Sequence, residues 1–186
     1  MREITDLQAV SRCLCGESAV FETLVERYKN QVFSLLLSVL QNQADAEDIA
    51  QETFIKAFRK LGQYNPDYSF ATWLFKIAHN TALDFIRAKH PQLSLDDENN
   101  PIDLRDRAPS PDENLAHTFT KELLERELSL LPGIYREILL LRHNEHLDYE
   151  QLADVLGLSL SAAKTRLFRA RELLKRNLLA ANVETF

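Results

Sequence analysis

The stretch Asp148–Lys175 carries the side chains best suited to work on nucleic acid. Lys164, Thr165, Arg166, Arg169 and Arg171 follow closely on Gly157-Leu158-Ser159. Arginine bonds guanine through two hydrogens, and lysine or threonine reaches bases and phosphates. A second set lies in the first half, where Tyr64, Tyr68, Phe70, Trp73 and Phe75 are interleaved with Thr72 and followed by Lys76 and Asn80. Aromatic faces stack on unpaired bases, and polar neighbours read the exposed Watson–Crick edges. Lys56, Arg59 and Lys60 precede this set and suit a nucleic-acid backbone. Phe70 and Trp73 also fit an apolar stripe and read as core. For Tyr64 and Tyr68, beside Pro66, packing and base stacking both stay open. His143, Glu145, His146 and Asp148 have metal-ligand side chains, but i, i+3 spacing at a helix end reads as solvated surface. Cys13 and Cys15 are too few for a four-ligand zinc site and read as reduced thiols in a helix. No glycine loop for phosphate occurs, so no nucleotide cofactor is expected; no metal and no catalytic residue are expected either.

The elements that must position these side chains are helices. The chain has 186 residues and four glycines, and its apolar residues recur at helical spacing. The expected fold class is all-α: two small helical domains joined by a flexible linker, the C-terminal one a helix-turn-helix. The first half predicts helices over about 19–40, 45–61 and 70–89. Asp45 is the expected N-cap of the second, and Gly62 its end. Ile49, Ala50, Phe54, Ala57, Phe58 and Leu61 form its expected buried face. Pro91, Pro101, Pro109 and Pro111, with seven acids, make 91–114 a linker that cannot bury enough surface to fold. Domains of 1–90 and 115–186 follow. The second half predicts helices over 115–130 and 134–142, then Tyr149–Leu156 capped by Asp148 with Gln151. Gly157 ends that helix and Ser159 caps the next. Leu152, Ala153, Leu156, Leu158, Ala163 and Leu167 pack the pair. Ser161, Ala162, Lys164, Thr165, Phe168 and Arg169 then face outward, with Arg166 and Arg171 beside them for phosphates.

The net charge of −6 hides a segregation. Residues 53–90 are net +4 and residues 164–186 are net +4, while 1–52, 91–116 and 117–163 are net −5, −5 and −4. An acidic total weakens non-specific attraction to phosphates. Such a chain binds DNA poorly alone and well when a partner holds it there. The start MREITDLQAV lacks a signal-peptide pattern, and the longest apolar stretch, Val32–Leu40, is too short to span a bilayer. A cytoplasmic protein without membrane insertion is expected.

DAEDIAQETFIKAFRKL, SFATWLFKIAHNTALDFIR and LPGIYREILLLRHNEHLDYEQLADVLGLSLSAAKTRLFRAREL, in that order, resemble bacterial RNA polymerase sigma factors. They are similar to the small extracytoplasmic-function type (group IV of the sigma-70 family), which keeps only the second and fourth sigma regions. The resemblance spans about residues 16–90 and 118–178. It implies an alternative sigma factor that binds core RNA polymerase and directs promoter recognition, DNA melting and transcription initiation. It implies that Asp48, Gln51, Glu52 and Ile55 dock on the β′ clamp coiled coil. Gln63, Tyr64, Tyr68, Ser69, Phe70, Thr72 and Trp73, with Lys56, Lys76 and Asn80, would take the melted −10 element. Arg142, Ser161, Ala162, Lys164, Thr165, Arg166, Phe168, Arg169 and Arg171 would take the −35 element. It also implies contact with the β flap, and clamping by an inhibitory anti-sigma protein in a stress response. The alternative is a free-standing helix-turn-helix transcriptional regulator that binds operator DNA without polymerase.

Overall fold

The computed structural model describes residues 4–89, 118–143 and 145–183. The expected linker 91–114 and the first residues of the expected helix 115–130 lie outside them. Among the described residues the regular elements are α1 (Asp6–Leu14), α2 (Phe21–Leu40), α3 (Gln43–Arg59), α4 (Phe70–Lys89), α5 (Thr118–Ser129), α6 (Gly133–His143), α7 (Tyr149–Leu156) and α8 (Leu160–Val183), with short 3-10 turns at Ser18–Val20 and Leu61–Gln63.

Several ends differ from the sequence reading. α1 precedes the expected first helix; the Gln8 backbone N–H donates to Thr5 Oγ1, and the Thr5 N–H donates to the Gln8 side chain. This reciprocal box satisfies two N–H groups that a helix start leaves open. α2 begins at Phe21, because Ser18–Val20 forms a 3-10 turn. α3 starts at Gln43, since Asn42 rather than Asp45 is the cap: the Asp45 N–H donates to Asn42 Oδ1. It stops at Arg59, ahead of the 3-10 turn that contains Gly62. Phe58, expected in the core, is exposed and rests edge-on against Phe21 with ring centroids 5.1 Å apart.

The helix-turn-helix forms as its residues dictate. Asp148 and Gln151 make the reciprocal capping box of α7. Gly157 closes that helix at φ +64, a left-handed backbone that glycine adopts without a Cβ clash. Ser159 Oγ accepts from the Ala162 N–H at the start of α8. Leu152, Ala153, Leu156, Ala163 and Leu167 are buried between the two helices and their neighbours.

α2 is the central strut. Leu24, Tyr28, Val32, Leu35, Leu36 and Val39 are buried along it, and it packs on α3, α4 and α6. Its second half is apolar on most sides, as a helix covered from several directions must be. α4 likewise packs on α2 and α3 and also on α7. The first and second halves therefore share one continuous core.

Candidate functional site

The helix-turn-helix presents an outward face on the first turns of α8. Ser161, Lys164, Thr165, Phe168, Arg169 and Arg171 are exposed, while Ala162 and Arg166 are partly buried. Phe168 is 65% exposed, too open for a core aromatic. Lys164 Nζ stands 5.6 Å from the Tyr149 ring centroid and the Arg142 guanidinium 5.1 Å from it. Tyr149 thus stacks two cations beside the recognition face. Arg142 also donates to the Leu147 carbonyl at 2.5 Å, which holds the loop that leads into α7. Its place is structural as well as cationic. A cleft of about 590 Å³ opens along the side of α8, lined among others by Tyr135, Phe168, Arg169, Leu173 and Leu179.

The aromatic set of the first half gathers at the N-terminus of α4. Tyr64 meets Phe70 at 5.6 Å and Trp73 at 5.5 Å, and Phe70 meets Trp73 at 5.5 Å. The Tyr64 hydroxyl donates to the Tyr68 carbonyl at 2.6 Å and ties the loop Asn65–Ser69 to the cluster. Burial raises the Tyr64 phenol above its ordinary range, with a further push from the charge of Asp6. Phe70, Thr72 and Phe75 are buried. Phe70 therefore seats the other rings, and Phe75 belongs to the core. Tyr68, 66% exposed, is the open ring of the set. Gln63, Ser69 and Asn80 are exposed around it, and Trp73 and Lys76 are partly exposed. Lys56 bridges Glu52 at 2.8 Å and reaches Thr81 Oγ1 at 3.4 Å. Lys76 pairs with Asp154 of α7 at 2.6 Å.

A third surface lies on α3. Asp48, Gln51, Glu52 and Ile55 are all exposed, and their i, i+3, i+4, i+7 spacing puts them on one face. Ile55 is an open aliphatic side chain next to acids, a combination that suits a partner with apolar and basic groups.

The sequence reading missed a buried pair between the halves. His79 Nδ1 and Glu137 Oε1 lie 2.7 Å apart with both side chains enclosed. The legible signal was a second stripe on α4: Phe75, His79, Ala82 and Ile86, all buried, recur at i, i+4, i+7 and i+11. Glu145 is partly buried and accepts from Gln31, and burial raises its carboxyl above the usual range. His143 is lowered by burial and by the nearby Arg171 and Arg142. Among the described residues no group of three or more His, Cys, Asp or Glu is placed to hold a metal. Among them, too, no helix is long and apolar enough to cross a membrane.

Comparison with known proteins matches residues 24–91 to Sigma-70 region 2 and residues 121–174 to Sigma-70, region 4. The chain is 33% identical to the RNA polymerase sigma-H factor of Pseudomonas aeruginosa over 90% of each chain. It is 31% identical to the ECF RNA polymerase sigma-E factor of Haemophilus influenzae, covering 93% of this chain and 95% of that one. Among solved structures it is similar to CnrH in complex with the cytosolic domain of CnrY, with a TM-score of 0.62 and 25% identity over 92% of this chain and 96% of that one.

Proposed function

The chain belongs to the sigma-70 family of RNA polymerase sigma factors, in its extracytoplasmic-function branch, and from that premise we propose that it is an alternative sigma factor that brings core polymerase to chosen promoters. The observation that carries the reading is the pairing of the two matched regions, in family order, with a cationic helix-turn-helix face left open on α8.

In this reading three surfaces divide the work. Asp48, Gln51, Glu52 and Ile55 on α3 dock on the β′ clamp coiled coil; the fourth sigma region, in the C-terminal half, also meets the β flap. The α8 face from Ser161 to Arg171, with Arg142, holds −35 duplex, where Lys164, Thr165 and Arg169 read base edges and the flanking arginines take phosphates. Tyr68, Tyr64 and Trp73, with Gln63, Ser69, Lys56, Lys76 and Asn80, receive the −10 strand. Phe70 and Thr72 support that site from beneath, since both are buried.

The chemistry is binding. Stacking on an exposed tyrosine stabilises unpaired bases and leaves the paired duplex unaffected. The closed–open equilibrium of the promoter shifts by that differential affinity. A transcription initiation factor of this kind is not itself an enzyme, and it works in the cytoplasm where the chromosome lies. Domains of 1–90 and 115–186, with 91–114 as tether, suit two grips on separate promoter elements. The solved CnrH complex with a second chain supports a further partner here, an inhibitory anti-sigma protein.

Run-off transcription with purified core polymerase and a promoter library tests the reading. Promoter-specific transcripts that need the added chain are the expected result. Specific nanomolar binding of the free chain to duplex DNA, with no transcript, would instead identify a free-standing regulator.

A further inference from the structure

Helix α1 lies outside the three surfaces of the proposed function, yet its first residue is tied to the aromatic site. The Tyr28 hydroxyl on α2 donates to Asp6 Oδ2 at 2.5 Å. The Arg27 guanidinium donates to the other Asp6 oxygen, and also to the Ile4 carbonyl at 2.7 Å. One carboxylate thus holds two neighbouring side chains of α2 against the start of α1. Burial, and then the Asp6 bond and charge, push the Tyr28 phenol above its ordinary range, so the proton stays on the hydroxyl and is donated.

Tyr28 is buried, and its ring lies 5.7 Å from that of Phe70. Phe70 in turn meets Tyr64 at 5.6 Å and Trp73 at 5.5 Å. The contacts form one continuous line from Asp6 through Tyr28 and Phe70 to the two rings beside the loop Asn65–Ser69. Two further observations place α1 there. It packs on the 3-10 turn Leu61–Gln63 that leads into this loop, and the Asp6 charge is felt at the Tyr64 phenol. Ring pairs depend on tilt and offset, and a binding constellation needs its members held within about 0.5 Å. A hydrogen bond to a carboxylate is among the stronger ones. Deleting that acceptor leaves a buried hydroxyl without a partner, and the ring must then move or admit water.

Resting on the sigma-factor reading above, we propose that Asp6 is a positioning residue for the −10 site: through the Tyr28 hydroxyl it fixes Phe70, and Phe70 fixes Tyr64 and Trp73 where they receive the unpaired strand. Asp6 itself touches no DNA. The Arg27 half of the cluster does a different job and holds the chain at Ile4. Substitution separates the two. Asp6→Ala and Tyr28→Phe both remove the hydroxyl bond, Asp6→Asn keeps an acceptor for it, and Arg27→Leu removes the tether alone.

Trp73 is the single tryptophan of the chain, so its emission in the free protein reports the ring cluster directly. Strand capture is read with holoenzyme on a promoter active in the run-off assay, with its −10 non-template strand left unpaired, and on a −35 duplex for comparison. Asp6→Ala and Tyr28→Phe are expected to shift the Trp73 emission and to bind the unpaired-strand fragment about threefold to tenfold more weakly, with core and −35 affinity unchanged. Asp6→Asn should recover most of that affinity, and Arg27→Leu should keep it. Circular dichroism checks that the helices remain in each variant. A tie that serves stability alone would lower the melting temperature of Asp6→Ala and Arg27→Leu alike and leave strand capture untouched. Wild-type affinity of Asp6→Ala for the unpaired strand, equal losses for Asp6→Ala and Arg27→Leu, or no recovery by Asp6→Asn overturns the proposal while the sigma reading stands. A wild-type holoenzyme that binds no fragment sinks the sigma reading and the proposal with it.

Discussion

His79 and Glu137 form an enclosed pair 2.7 Å apart that joins α4 to α6. Burial alone depresses the imidazole, but the charge of Glu137 and its hydrogen bond outweigh that, so the His79 pKa is raised despite repulsion from Arg166 and Arg87. A raised folded pKa means that folding favours the protonated ring. The contribution is complete below the unfolded value of about 6.5 and is lost as pH rises through the folded value. Thermal melting of the wild type should therefore show stability declining as pH climbs from about 6.5 through that raised value. His79→Gln should lack the contribution present below about 6.5 and lose this part of the pH dependence. Parallel pH profiles for the two proteins would remove the pair from the account.

Gly157 offers a second test. Its φ of +64 is left-handed, and a Cβ added there meets nothing within 4 Å. Gly157→Ala then costs only backbone strain, about 1 kcal/mol. Gly157→Asn should recover part of it, because asparagine tolerates this conformation best among the larger residues. Urea unfolding should show a lower midpoint for the alanine variant at an unchanged slope. An unshifted midpoint would mean that the turn does not need glycine.

The C-terminal half is the more legible, because its signals are local. Asp148, Gln151, Gly157 and Ser159 each act on backbone within a few residues, and each stands where the sequence puts it. The N-terminal half is legible along α4 and less so at its helix ends. Asn42 and Asp45 are both good caps, and only the fold shows which one the chain uses. The sequence puts Cys13 and Cys15 in a helical segment without giving it bounds, although Thr5 and Gln8 spell the start of α1. Packing between the halves was the least legible. It depends on contacts more than 50 residues apart in sequence, such as His79–Glu137, and no local pattern sets them. The division of the aromatic set is tertiary in the same way. Spacing alone groups Phe75 with Tyr68, while packing buries the first and exposes the second.

The α3 surface separates partner binding from stability. Ile55 is 51% exposed, so Ile55→Ala removes little packing from the free chain and should leave its melting temperature within a degree or so of wild type. If Ile55 is enclosed by the polymerase clamp, truncation forfeits about 2 kcal/mol of apolar burial, or more than tenfold in core affinity. Anisotropy titration of labelled chain with core polymerase measures this. Unaltered affinity would move the docking surface off this face of α3.

Lys164 and Arg171 distinguish reading from gripping on α8. Both are exposed, but Lys164 lies in the first turns, where a recognition helix meets base edges, and Arg171 lies about two turns further on. A base contact discriminates between sequences by about 1–3 kcal/mol, whereas a phosphate contact is blind to sequence and adds about 0.9 to the salt exponent. Lys164→Ala should therefore flatten the preference of the assembled holoenzyme among −35 variants. Arg171→Ala should weaken all variants alike and reduce the slope of log affinity against log salt by about one. Promoter binding by holoenzyme at several salt concentrations, on fragments that differ only in the −35 element, checks both. If Lys164→Ala lowers affinity for every fragment equally, that lysine grips the backbone, and the reading of bases falls to Thr165 and Arg169.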